Sequence, residues 1–101
     1  MIIDVTREFK MLDGTVIKNA QGNVYLLRMA CADSLLNPAT KDENLGAEDK
    51  VKYFTLAMKI YKNNKPDLTI EELALLKKRI GVYSSVLIVG QAFEMLDNAK
   101  D

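Results

Sequence analysis

Residues 24–36 read VYLLRMACADSLL, which has the residue types and the length of a single helix. In the helix predicted from this segment, apolar side chains point to all sides, and only Arg28, Asp33 and Ser34 are strongly polar. A helix that is apolar on all sides is normally enclosed by the rest of its protein. We therefore expect other elements to cover this helix, which is predicted over residues 25–36.

Three more helices are predicted downstream, over residues 47–63, 70–80 and 85–98. Acidic residues lie in the first turn of the second helix and lysines in its last turn, and both suit the helix dipole. Thr69 and Glu72 have the spacing of a capping box at the start of the third helix. Ser84 and Ser85 can cap the fourth. The second half of the chain is therefore expected to be helical.

The first third of the chain carries turn signals instead. Asp13-Gly14 lies between two short apolar stretches, and this dipeptide is favoured in tight β-hairpin turns. A β-hairpin is therefore predicted over residues 8–18, and no internal repeat is evident. The expected fold is α-rich α+β: one domain over residues 1–101, with an N-terminal β-hairpin followed by about four α-helices packed as a small bundle.

The residue inventory excludes most catalytic chemistry. The chain has no histidine, and Cys31 is its one cysteine. Zinc sites of the usual kinds, disulfides and histidine-dependent triads or dyads are therefore excluded. Cys31 lies between alanines in an apolar segment, which favours a structural thiol. The acidic residues Asp42, Glu43, Glu48 and Asp49 lack the spacing of a calcium loop. We expect a protein without enzyme activity, cofactor or metal.

Charge gives no general attraction to nucleic acid, because basic and acidic residues both number 14 and the formal net charge is zero. Lys52, Lys59 and Lys62 share one side of the predicted second helix, where they suit contacts to phosphates. A solvated lysine stripe is the favoured interpretation, and nucleic-acid binding is the alternative function. The sequence has no secretory signal and no apolar run of membrane-spanning length, so we expect a cytoplasmic protein without membrane association.

Two of the predicted helices have more apolar surface than one packing contact uses. The arc on the second helix covers roughly 220°, so that helix is expected to be central. Leu26 and Leu27 add to the surplus on the first helix, while Leu75 and Leu87 stand on the polar sides of later helices. Either the N-terminal hairpin or a partner covers the first helix, and both explanations remain open. These four leucines are the candidate partner-binding residues.

A resemblance to known proteins rests on two stretches of the sequence. They are residues 12–18 with Gly22-Asn23, and residues 69–97 with the step Val89-Gly90-Gln91. In these the chain resembles small accessory proteins encoded in tailed phages and prophages, where a short hairpin precedes helices of similar length. The resemblance implies a viral protein of the host cytoplasm that binds a protein. The expected function is a non-enzymatic interaction module that forms homo-oligomers, or binds a host or virion protein, through surplus apolar helix surface.

Overall fold

The computed structural model describes residues 1–37 and 46–99. Four helices lie in these residues: α1 Leu27–Leu36, α2 Ala47–Lys62, α3 Ile70–Tyr83 and α4 Val86–Asp97. The first of them, α1, packs against each of the other three, and α3 also packs against α4. The expected helical bundle is therefore present, but its central helix is α1 and not α2.

The N-terminal segment, residues 1–26, and the other helices together enclose α1. Leu27, Ala30 and Cys31 have no exposed surface. The backbone N–H of Leu27 donates to the carbonyl of Arg7 at 2.8 Å, and the N-terminal residues Ile3, Val5 and Phe9 belong to the same core. A helical wheel measures how wide an apolar arc is, but it does not show which part of the arc is covered. That is why α2 was wrongly expected at the centre.

The prediction of a β-hairpin over residues 8–18 is wrong. The described residues contain isolated antiparallel bridges and no sheet. The N–H of Ile17 donates to the carbonyl of Phe9 at 2.9 Å, but the N–H of Phe9 donates to Tyr25 at 3.0 Å. The N–H of Tyr25 then donates to Ile17 at 2.7 Å. In a hairpin, two facing residues can each donate a backbone hydrogen bond to the other. Here Phe9, Ile17 and Tyr25 each donate to a different one of the three, so their backbones form a closed ring of hydrogen bonds. The α+β expectation is corrected to a helical bundle with an irregular N-terminal segment.

This segment contains two turns of the same form, eight residues apart. The N–H of Gly14 donates to Met11 and that of Gly22 donates to Asn19, each at 3.0 Å. The two glycines have φ of 91° and 84°, in the left-handed region that favours glycine. The residues shared by the two repeats are Lys10 and Lys18, Gly14 and Gly22, and Val16 and Val24. The expectation of no internal repeat is therefore wrong.

The capping box at the start of α3 is confirmed. The Thr69 hydroxyl accepts from the N–H of Glu72 at 3.1 Å, and the carboxylate of Glu72 accepts from the N–H of Thr69 at 2.8 Å. The same carboxylate oxygen accepts from Nζ of Lys59 on α2 at 3.0 Å. Ser85 occupies the N-cap position of α4 without a capping side-chain hydrogen bond. α3 continues through Gly81 to Tyr83, beyond its predicted end at residue 80.

Replacing Glu72 with alanine is expected to lower the free energy of unfolding by about 1 kcal/mol at pH 7. Burial acts to raise the pKa of Glu72, but hydrogen bonds from Thr69 and Lys59 outweigh it and hold that pKa below its ordinary value of 4.5. A carboxylate with a lowered pKa stabilises the fold above its unfolded pKa, and that contribution is lost as the pH falls through the folded value. Urea denaturation from pH 7 to pH 3 measures this. The unfolding free energies of the wild type and of Glu72→Ala should converge below pH 4.5. Glu71→Ala is the matched control in the same turn, and an equal loss there would contradict this assignment.

Candidate protein-interaction surface

The structure covers two of the four candidate leucines with the chain itself. Leu27 is completely buried, and Leu26 is half-buried at the start of α1. The backbone of the N-terminal segment lies along this end of the helix, where the N–H of Arg28 donates to Val5 at 2.8 Å. Of the two explanations for the apolar first helix, cover by the N-terminal segment therefore describes the structure, although that segment is not a hairpin. Leu27 offers no surface to a partner here.

The other two candidate leucines are half-buried at separate places. Leu75 packs against the core and lines a groove of about 320 Å³ between α2 and α3. Leu87 lies on α4, where its carbonyl accepts from Nε2 of Gln91 at 3.2 Å. The Gln91 amide also exchanges two hydrogen bonds, of 2.8 and 2.7 Å, with the backbone of Lys10. Gln91 thus ties α4 to the N-terminal segment.

Two of the three candidate phosphate-contacting lysines lie beside carboxylates. Lys59 donates to Glu72, as described above, and Lys52 lines the same groove as Glu71 and Glu72. Lys62 is exposed at the end of α2. A phosphate backbone binds through uncompensated positive charge. Two of the three lysines therefore have acidic neighbours on α3, an arrangement that does not favour contact with nucleic acid.

Four large apolar side chains lie exposed along one side of α2. Their exposed fractions are 62% for Val51, 57% for Phe54, 38% for Met58 and 68% for Tyr61. They follow one another at intervals of three, four and three residues, and such intervals keep side chains on one side of a helix. We call these four residues the α2 stripe. The buried face of α2, which packs on α1, consists of Tyr53, Leu56, Ala57 and Ile60.

One end of the α2 stripe is held by α1. Cζ of Arg28 lies 5.9 Å from the ring centroid of Tyr61, within the range of a cation–π interaction. The same guanidinium donates to the side-chain oxygen of Asn64. The Tyr61 ring therefore keeps an exposed position with a charged neighbour beneath it. Such a contact restricts the side-chain freedom of the ring, so less of that freedom would be lost if the ring were covered.

A second, more polar groove of about 570 Å³ lies where the N-terminal segment meets the α3–α4 junction. It is lined by Asp33 of α1 and by three hydroxyl-bearing residues, Tyr83, Ser84 and Ser85. The hydroxyl of Tyr25 donates to Asp33 at 3.0 Å. Burial, together with the Asp33 carboxylate, raises the pKa of Tyr25 well above its usual range. The tyrosine therefore remains a protonated donor that holds the carboxylate.

The remaining reactive groups are structural in the described residues. Cys31 is completely buried in α1, and burial raises the pKa of its thiol to about 12. A thiol of that kind is a poor nucleophile at neutral pH. Among the described residues no three histidine, cysteine or carboxylate side chains gather as metal ligands would. Asp42 and Glu43, two of the acidic residues considered above, lie outside them.

The helices of the described residues include none that combines the length and the apolar character needed to cross a membrane. Comparisons with models of protein families, with curated proteins and with solved structures find no match to this chain.

Proposed function

We propose that this protein is a non-enzymatic interaction module that self-associates through the α2 stripe. The observation that carries the proposal is the exposure of four large apolar side chains in one line on α2, beside the face that packs on α1. Single exposed apolar residues are ordinary on protein surfaces, but a continuous apolar patch is a feature of interfaces. A second copy is the simplest occupant, since most soluble oligomers are closed and symmetric.

The chemistry of the stripe also supports this function. Phe54 and Tyr61 are aromatic and Met58 is flexible, and these three residue types are enriched in interface cores. The resemblance to small phage and prophage proteins adds a context in the host cytoplasm, where the module acts by binding and not by catalysis. Binding of a host or virion protein to the same surface, in place of a second copy, is the alternative that a monomeric wild type would favour.

Replacing Phe54 with glutamate is expected to raise the dissociation constant of the self-associated form by about 30-fold or more, because a charge would enter the centre of the contact. Light scattering after size exclusion, over a wide range of protein concentrations, measures the change. The unfolding transition of the variant, measured at a concentration where the wild type is monomeric, should match the wild type, because Phe54 lies outside the core.

Val86→Glu is the matched control for this experiment. Val86 is 91% exposed at the start of α4, away from the stripe, so the same substitution there should leave self-association unchanged. A wild-type protein that stays monomeric up to millimolar concentration would overturn the proposal. So would equal weakening by both substitutions, since the stripe would then have no special role.

A further inference from the structure

We propose that two copies of the protein pair their α2 helices antiparallel about a two-fold axis, with one α2 stripe packed on the other. This inference rests on the self-association proposed above and specifies its geometry. The intervals of three, four and three residues are those of the a and d positions of a coiled coil. Ala47, four residues before Val51 and also exposed, extends the same line to the first residue of the helix.

The antiparallel arrangement fits the sizes of the side chains along the stripe. It places Val51 opposite Tyr61 of the second copy, and Phe54 opposite Met58 of the second copy. Each layer then joins an aromatic ring to an aliphatic side chain, and the two-fold axis repeats every layer. A parallel pair would instead stack like on like, with valine opposite valine and tyrosine opposite tyrosine. Alternating sizes fill the space between two helices better than equal ones do.

Charge favours the same orientation. Glu48 and Lys62 are both exposed and flank the stripe on one side, at opposite ends of α2. In an antiparallel pair each Glu48 lies next to Lys62 of the second copy, and the symmetry forms this pair twice. Glu48 lies in the acidic first turn of each helix and Lys62 in the basic last turn of the other, so the two ends of the pair carry complementary charge. Antiparallel helix dipoles are favourable as well.

The size of the contact indicates how strong the dimer is. An α2 helix of 16 residues is roughly 24 Å long, which is short for a helix pair. Interfaces with less than about 1,200 Å² of buried surface belong to weak and transient complexes. The dimer therefore forms and dissociates with concentration. Exposed ion pairs contribute little free energy. The Glu48–Lys62 pairs therefore determine the orientation of the two α2 helices more than the affinity of the dimer.

Disulfide trapping tests the orientation. The variants are Glu48→Cys and Lys62→Cys, each prepared alone and then mixed in equal amounts under mild oxidation. The two positions lie roughly 21 Å apart along α2. In the antiparallel dimer the mixture should yield a linked dimer that joins the two variants, while each variant alone should yield less than about a tenth as much. Cys31 stays in place because it is buried, and the wild-type protein is the control for its reactivity.

Charge reversal provides a second measurement that needs no oxidation. Glu48→Lys and Lys62→Glu should each weaken the dimer by about three-fold or more, and the double variant should recover wild-type association. Efficient linkage of Glu48→Cys to itself would overturn the antiparallel geometry and leave self-association standing. If the wild type dimerises but the mixture of Glu48→Cys and Lys62→Cys forms no disulfide-linked dimer, the antiparallel geometry would also be overturned. A monomeric wild type would overturn both this inference and the proposed function.

Discussion

Replacing Phe9 with alanine is expected to lower the free energy of unfolding by about 4 kcal/mol. The ring of Phe9 has no exposed surface, and its centroid lies 5.5 Å from that of Tyr25. Its backbone also belongs to the ring of hydrogen bonds that joins Phe9, Ile17 and Tyr25 within the N-terminal segment. The alanine variant loses the transfer free energy of the ring and leaves a cavity in the core. A domain of this size has a total stability of roughly 5 to 15 kcal/mol, so most of the margin would be lost.

Denaturation in guanidinium chloride, followed by circular dichroism, measures this loss. Leu12→Ala is the control, because Leu12 lies in the same segment, at the tip of the first turn, and is 96% exposed. Its effect should stay within about 0.5 kcal/mol of zero. A loss below about 1 kcal/mol for Phe9→Ala would mean that the N-terminal segment contributes little to the packing of the helices. The enclosure of α1 described above would then be incorrect.

Replacing Arg79 with methionine is expected to destabilise the protein by about 3 kcal/mol. Arg79 is buried on α3, and its guanidinium donates to the carbonyls of Ser34 at 2.9 Å and Asn37 at 3.1 Å. Its Cζ lies 4.9 Å from the ring centroid of Tyr53 on α2. One side chain therefore satisfies carbonyls at the end of α1 and joins three helices. Methionine has a similar length but no donor, so those carbonyls would lose their partners.

Two further variants complete the experiment on Arg79. Lys78→Met changes the adjacent exposed residue and should alter the unfolding free energy by less than about 0.5 kcal/mol. Arg79→Lys should recover only part of the loss, because an ammonium group lacks the planar fork that reaches two carbonyls. If Arg79→Met were as stable as the wild type, the cost of burying the charge would offset its hydrogen bonds, and the assignment would be wrong.

The four helices were predictable because their signals are local. Thr69 and Glu72 predicted the start of α3 from four adjacent residues, and the hydrogen bonds between them are present. The N-terminal segment was not predictable in the same way. Asp13-Gly14 correctly indicated a turn. The N–H of Phe9, however, donates to Tyr25 and not to Ile17, and the turn signal contains no information about Tyr25. The eight-residue repeat was the available signal, with Gly14 and Gly22 at matching places.

The candidate surface was predictable in part. The wheel for α2 showed an apolar arc too wide for one contact, and the α2 stripe lies within that arc. The residues singled out from sequence were others, and Leu27 among them is buried. Arg79 is a charged residue on α3, and its burial depends on the end of α1, where the carbonyl of Ser34 accepts from its guanidinium. No periodicity within α3 contains that information.

By itself, the sequence determined which segments are helical, where α3 is capped, and that histidine-dependent catalysis is excluded. Those properties depend on residues close together in the chain or on the residue inventory. The tertiary structure alone decided that the N-terminal segment and the other helices cover α1, that Arg79 is buried, and that Val51, Phe54, Met58 and Tyr61 remain exposed. Helix periodicity places apolar residues on a face, but burial depends on what packs against that face, and these partners come from distant parts of the chain.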